Sequence, residues 1–597
     1  MNHMARLGHR ASGPTRSRRP LVYGLGAVVV LVVVAGALLA RQASTAKTAL
    51  EDAASQAKIL QNHISQGDVS AARSSLEDLQ SSTGKAHTNT DGLVWSLLTK
   101  MPFVGDSVSA VRTVSSTLDD ISRRGLPPVV EASASLDGDL FKPRNGAFDL
   151  AAFSQLGPTI STAAEVLTTN QRKIASIQSD ELVGPLRAPV KDLKEKVDDA
   201  QFAASSAARA MRLAPEMLGA RGTRRYLLVF QNNAEVRSTG GLPGAFAVVK
   251  AKNGKLSITQ QGSASDIPQY EDPFVKLTKS EAAVYGQLMA KDFRDTNFTP
   301  DFPRTAKIMR SMVVDKLGVK VDGVLSLDPV ALSHLLKGTG PIKAAADTEL
   351  TADNAVDLLL NDVYARFTNP VDQDAFFADS ARRIFEGVTS GKGDARETLS
   401  QLVTAAGEHR VLLWSARTKE QREIAPTTIS GAFPGKGTTR PHVGMYLNDS
   451  TASKMQYYLD TKTTARSIRC TDDGRQTIEL TTTFTSTAPA DASLLPKYIT
   501  GVGGNGPRGS MVLDTRFFAP AGGEFISFTQ NGKFRPNNGV TFHGRPVNFA
   551  AITLKPGATV KIVATMRTAK GQRADAELSS TPGAHSSDNE IFVRSSC

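Results

Sequence analysis

The stretch RYLLVFQNNAEVRSTGGLPGAFAVVKAKNGKLSI, residues 225–258, decides how the chain is read. Residues 226–231, 245–250 and 255–260 have strand composition, and Asn253-Gly254 is a hairpin turn between the last two. A connection that only turns needs about two to five residues. Here Asn232, Asn233, Glu235, Arg237, Ser238 and Thr239 intervene before Gly240-Gly241. Two readings are open. The segment is a polar ligand cleft at a strand end, or a buried network in which the amides satisfy backbone and Glu235 pairs with Arg237. The glycines favour the cleft, because they let backbone approach a ligand closely.

Downstream, helical patterns at 280–290, 303–317, 329–337, 352–364, 375–389 and 395–405 alternate with strands at 321–327 and 411–415. Such alternation predicts an α/β sandwich domain over 225–440. After Pro441 the helical signal gives way to Thr-, Val- and aromatic-rich runs at 454–460, 477–486, 510–518, 524–529 and 559–567, separated by turn residues. That pattern predicts a β-sandwich over 441–597.

Upstream, residues 44–218 are rich in Ala, Ser, Leu and Gln with a helical period, as at Leu50, Ala53, Ala57, Leu60 and Ile64. They are expected to form a stalk of antiparallel helical hairpins. Asp68 is placed to cap one helix, and the Pro127-Pro128 pair marks a break over 126–152. Residues 21–40, LVYGLGAVVVLVVVAGALLA, carry no charge and follow Arg6, Arg10, Arg16, Arg18 and Arg19. At about 1.5 Å per residue this run spans a bilayer core of roughly 30 Å. The arginines keep residues 1–20 in the cytoplasm as a basic tail, which sends everything after the run outside it. A cleaved signal peptide fits less well, since the Ala35-Gly36-Ala37 triplet lies inside the run. The expected fold class is multidomain α+β: one transmembrane helix, a helical stalk, an α/β sandwich and a β-sandwich. The localisation is a single-pass cell-membrane protein, bulk extracytoplasmic. In that oxidising setting Cys470 and Cys597, the only cysteines, are expected to pair.

The formal net charge of +12 is unevenly placed, with Arg6, Arg10, Arg16, Arg18 and Arg19 preceding the first acidic residue and the rest scattered. With 6% aromatic residues in an exported chain, nucleic-acid binding is excluded. His334, His409, His442 and His543 stand singly, so no metal site is expected. No Gly-x-x-x-x-Gly-Lys loop or Gly-x-Ser-x-Gly elbow is present, and no cofactor is indicated. Asp301, before Phe302-Pro303, reads first as a helix N-cap, as does Asp328 before Pro329. If its loop faces the Asn232 segment, Asp295 and Asp301 become metal or sugar ligand candidates, and Arg304 of the same stretch is a further ligand candidate.

RYLLVFQNNAEVRSTGG, NFTPDFPRTA, VDGVLSLDPVALSHLLKGTGPI and TADNAVDLLLNDVY together resemble an uncharacterised family of bacterial membrane-anchored envelope proteins, over roughly 225–460. A more distant resemblance is to the LytR-CpsA-Psr phosphotransferases, which move glycopolymers from polyprenyl pyrophosphate carriers onto the cell wall. DQDAFFADSARRIFEGV is similar to their Asp-and-Arg segment. That likeness implies that Arg237, Arg366, Arg382 and Arg383 face an anion, which guanidinium binds bidentately. The chain departs from those enzymes where Thr259-Gln260-Gln261-Gly262-Ser263 and Ser238-Thr239 replace polar and metal-holding groups. The expectation is therefore an envelope protein that binds a polyprenyl (pyro)phosphate, a polyprenyl-linked glycopolymer or the cell wall. The alternative is a non-catalytic scaffold or surface-interaction protein.

Overall fold

The computed structural model describes residues 19–135, 142–345, 348–434, 440–501, 505–585 and 592–597, with side chains from Leu38 onward except at 65, 133–135 and 592. It divides into two compact units, one of residues 1–137 with 158–208, the other of 138–157 with 209–597.

The first unit is helical. Helix α1 (Arg19–Gln66) turns at Gly67, φ +74°, into α2 (Val69–Thr90), and the Asp68 carboxylate accepts from Ala71 N at 2.9 Å as an N-cap. The helices run antiparallel: His63 meets Ser75 (3.0 Å) and Gln42 meets Trp95 (3.0 Å). Ala53, Leu60, Ala72, Leu76 and Leu79 fill the seam, their small faces letting the helices approach closely. Then come α3 (Leu93–Leu98), α4 (Gly105–Asp120) and, after a π-helical turn Ile121–Gly125, α5 (Leu126–Ser135). Pro127 and Pro128 lie in the first turn of α5, which continues the π-helical turn, and the non-helical stretch among the described residues falls later, at 142–149. Helices α6 (Leu150–Ala175) and α7 (Gly184–Met217) follow. The side chains of residues 21–37, most of the expected span, lie outside the described residues. Among those described, no helix is long and apolar enough to cross a membrane.

The second unit contains the three larger sheets. Strands β1 (Arg224–Arg237), β2 (Gly240–Lys252), β3 (Lys255–Ser263), β4 (Gly323–Leu327), the short pair β5 (Ile342–Lys343) and β6 (Glu349–Leu350), and β7 (Val411–Ser415) come first. Sheet one has the order β3-β2-β1-β4-β7, with β1 and β4 parallel and the other pairs antiparallel. Successive β1 residues point to opposite faces. Leu227 and Val229 enter a core with α8 (Lys279–Tyr285) and α9 (Phe302–Leu317), while Leu228 packs on the other face with Ala247 and Val249.

The polar segment after Phe230 is not a loop. It continues β1 to Arg237, and the chain turns only at Ser238-Thr239. Asn232 lies opposite Leu242 and Val236 opposite Gly241, so Asn233, Ala234 and Glu235 bulge out of the ladder. Gly241 is required here: a Cβ would come within 2.1 Å of the Asn232 carbonyl.

Helix α10 (Pro329–Thr339) is capped by Asp328, whose Oδ1 accepts from Ala331 N at 2.7 Å. The helix expected over 352–364 is one run over 355–366 with a π-helical turn Leu358–Asp362 between α11 (Ala355–Asp357) and α12 (Val363–Arg366). Helices α13 (Pro370–Thr389), α14 (Ala395–Gly407) and α15 (Thr418–Ile424) complete this part.

Beyond it lie two further sheets. One joins β13 (Lys533–Phe534), β12 (Glu524–Gln530), β16 (Thr559–Arg567), β10 (Gln476–Ser486) and β9 (Leu459–Cys470). The other joins β14 (Val540–Phe542), β15 (Arg545–Leu554), β11 (Met511–Phe518), β8 (His442–Asp449), β17 (Ala576–Ser580) and β18 (Phe592–Val593). Ile478, Leu480 and Phe484 of β10 alternate inward to meet Met445, Leu513 and Phe517. The expected strand at 454–460 is instead a 3-10 turn, Met455–Tyr458, leading into β9. Strand β8 was not expected: all eight of its residues are buried, so it shows no polar-apolar alternation. Cys470 and Cys597 form a disulfide.

Candidate ligand-binding site

The bulge at 233–235 and its hairpin are held by a dense set of buried polar contacts. Gln231 Oε1 accepts from Thr239 Oγ1, Gly241 N and Asn297 Nδ2, each at 3.1 Å. Asn297 Nδ2 also donates to Thr239 Oγ1 (3.0 Å) and Gly241 O (2.8 Å), closing the hairpin from the loop before α9. Asn233 Nδ2 donates to Asp328 Oδ2 at 3.0 Å, the same oxygen that receives the buried Arg410.

Glu235 projects from the bulge between two cations. It accepts from Arg237 Nη2 at 3.1 Å and from Lys454 Nζ. Arg237 also donates to Asp295 Oδ1 at 3.0 Å and lies over the Phe298 ring, its Cζ 5.0 Å from the centroid. Burial alone would raise the Glu235 carboxyl, but Lys454 and Arg237 outweigh it and hold the group below its ordinary value. For Lys454 burial acts downward and Glu235 overrides it, so the ammonium stays charged. Asp295 goes the other way: burial raises its carboxyl, and Arg237 only partly offsets that.

This network borders a cavity of about 320 Å³. Its apolar wall is Phe230 and Leu242 of β1 and β2, Leu332 of α10, Leu359 and Leu360 of the π-helical turn, and Phe377 and Ile384 of α13. The extra residue in a π turn rotates neighbouring side chains, which is why such turns recur at ligand sites. Asn232, Glu235, Lys454, Lys497 and Tyr498 supply a polar side, with Arg294 also at the wall. These groups are brought together locally. Lys454 N donates to Ile499 O at 2.8 Å, drawing the 497–501 turn against the bulge. Its Nζ stands 5.3 Å from the Tyr498 ring centre, and Asn232 Nδ2 donates to the Tyr364 hydroxyl. Lys497 is exposed and forms no ion pair among the described residues, whereas Arg294 is held by Asp292 at 2.6 Å.

The structure sorts the residues expected to act. Asn232 and Glu235 line the cavity, Asn233 is a buried strut, and Arg237 lies behind Glu235 with two carboxylates of its own. The four arginines are not brought together, and none lines the cavity. Arg366 donates to Thr348 Oγ1 (2.9 Å) on the exposed side of α12. Arg382 pairs with Glu386 (2.9 Å) and Arg383 with Asp379 (2.6 Å), one helical turn away on α13. Arg304 bonds both oxygens of Glu281, at 2.6 and 3.2 Å, and so ties α9 to α8. Asp301 occupies the N-cap position of α9 without capping it; its carboxylate accepts from Phe433 N at 3.3 Å. Burial raises that carboxyl. Lys454, Lys497 and Tyr498 were missed, because nothing local distinguishes them from surface residues of a β domain. Among the described residues no group of three or more His, Cys, Asp or Glu could hold a metal.

The class defined by these observations is a multidomain α+β protein with an amphiphilic cavity beside a bulged strand. Residues 221–364 match a family described as "Protein of unknown function (DUF4012)", a stretch that begins just before β1 and ends at Tyr364 on the cavity wall. No curated protein matches the chain. Among solved structures, protein gbs0355 from Streptococcus agalactiae is 11% identical, the likeness covering 38% of this chain and 80% of that one with a TM-score of 0.25. The transcriptional regulator yvhJ from Bacillus subtilis is 13% identical, over 35% and 79%, with a TM-score of 0.18.

Proposed function

We propose that the second unit binds an amphiphile with an apolar chain and an anionic head, of the polyprenyl (pyro)phosphate or polyprenyl-linked glycopolymer class. The protein acts in the cell envelope, anchored in the cytoplasmic membrane by residues 21–40 with its bulk outside the cytoplasm. The observation that carries this reading is the cavity itself. Its volume of about 320 Å³ falls at the lower end of the roughly 300–1,000 Å³ usual for ligand pockets. Its wall sets Leu, Ile and Phe side chains beside polar groups that include Glu235 and Asp374, and Lys497 stands at it without an ion-pair partner among the described residues. The distant LytR-CpsA-Psr resemblance of the sequence suggests the same ligand class by a separate route. The anion is received by Lys497 rather than by the four arginines, because none of those four lines the cavity and Arg294, which does, is already paired with Asp292. This favours a carrier or binding role over transfer chemistry, since charge stabilisation is usually the largest catalytic contribution.

Titration of the full chain with farnesyl pyrophosphate tests the proposal. Ala381, on α13 at the cavity wall, becomes a plug when changed to Phe. Ala381→Phe should weaken binding by at least about tenfold, or 1.4 kcal/mol. Lys497→Ala should weaken farnesyl pyrophosphate but leave farnesol unaffected. Equal affinity of wild type and Ala381→Phe would place the ligand elsewhere and sink the reading. A scaffold role then remains, favoured by the buried contacts that tie the hairpin together, although Asn233 Oδ1 and Asn297 Oδ1 are left without a partner among the described residues.

A further inference from the structure

The connection between α2 and α4 in the first unit turns its apolar side chains outward. Leu93 is 85% exposed, Leu97 66% and Phe103 97%, and Val94, Met101 and Val104 are exposed with them. Single exposed apolar residues are ordinary, but a contiguous group within twelve residues marks an interaction surface. The segment is not loose. Trp95 is buried and its Nε1 donates to Gln42 Oε1 at 3.0 Å. Arg112 fastens the preceding turn through Asp91 (2.9 Å) and Thr90 O (3.1 Å). Phe103 has φ +67°, a conformation rare for a bulky residue, so the fold maintains this outward phenyl against local strain.

Its position identifies what covers it. The antiparallel register of α1 and α2 brings the segment level with Gln42. On the same continuous helix, Gln42 is two residues past the uncharged run 21–40, a rise of about 3 Å. Leu38, at the end of that run, is itself 56% exposed. No acidic residue lies between Asp91 and Asp106, and the one cation there, Lys100, is exposed.

We propose that residues 93–104 are a second membrane contact, inserting Leu93, Leu97 and Phe103 into the headgroup-acyl boundary of the bilayer that residues 21–40 span. Lys100 faces anionic headgroups, and Trp95 fastens the segment to α1. This is the physics of an interfacial amphipathic segment: buried apolar area plus attraction to anionic lipid. Two attachments restrict the tilt of the α1-α2 hairpin, which one helix alone leaves free. The inference rests on reading 21–40 as an anchor.

The test uses the full chain in phosphatidylcholine-phosphatidylglycerol vesicles carrying a nitroxide near the headgroup. Because Cys470 and Cys597 are joined, Leu93→Cys supplies a unique thiol for a bimane label, and Ser81→Cys, exposed on α2, supplies a control. Quenching at position 93 should exceed that at 81 several-fold, and Leu97→Glu with Phe103→Glu should abolish the excess. Alkaline carbonate extraction reads the anchor separately. A chain that resists extraction but shows no excess quenching at 93 overturns this proposal and spares the anchor. Release of the chain with quenching at 93 retained removes the anchor and leaves a peripheral contact. Release with no excess quenching overturns both.

Discussion

Glu235→Gln is expected to destabilise the second unit by about 3–5 kcal/mol, the cost of removing one partner from a buried ion pair. Glu235 is buried and serves both Arg237 and Lys454. The amide keeps the shape but leaves Lys454 without its carboxylate and Arg237 with Asp295 alone. Urea unfolding of wild type and variant measures the difference. Changing Lys454 to Met in the same chain should recover most of it, since removing both charges is far less costly than isolating one. The pH dependence follows from the depressed carboxyl. Its folded-state pKa lies below the ordinary 4.5. The contribution is therefore complete above that pH and is lost as the pH falls through the folded value, so the two proteins should converge in acid. A cost under about 1 kcal/mol, the range of exposed pairs, would mean that this pair is solvated.

Removing the disulfide should be comparably damaging. The bond joins the end of β9 to the last residue, 127 positions apart, with the Cα atoms 5.0 Å from each other. Closing a loop of that length lowers the entropy of the unfolded chain by the equivalent of about 4–5 kcal/mol. The native tail is also held by β18 on β17 and by hydrogen bonds of Ser595 to Asp575 Oδ1 (2.7 Å) and Arg573 O (2.6 Å) and of Ser596 to Ser467 Oγ. Cys470→Ser with Cys597→Ser should therefore lower the urea midpoint sharply with little change in the native sheets. Unchanged stability in the double variant would show that the tail's pairing does not constrain the unfolded chain.

What the sequence revealed follows from the range of the forces. Strand residues 226–231 and the Asn253-Gly254 turn were legible because local composition and turn chemistry determine them. The continuation of β1 to Arg237 was not. Its polar side chains find partners at Asp295, Asn297, Asp328 and Lys454, 58 to 219 residues away, and no periodicity reports that. Arg382 and Arg383 carried a warning, since Asp379 and Glu386 lie three or four residues from them, the spacing of a solvated helix face. The cavity wall was invisible for the opposite reason. Leu332, Leu359 and Ile384 look like ordinary core residues, and only the tertiary fold leaves space between them.

A structure of the chain saturated with farnesyl pyrophosphate shows whether the cavity holds an anionic amphiphile. Density for the prenyl chain should run between Leu332, Leu359 and Ile384, with the pyrophosphate within about 3 Å of Lys497, the distance of a charge-assisted hydrogen bond. An empty cavity at saturation, or a ligand lodged away from it, would contradict the account.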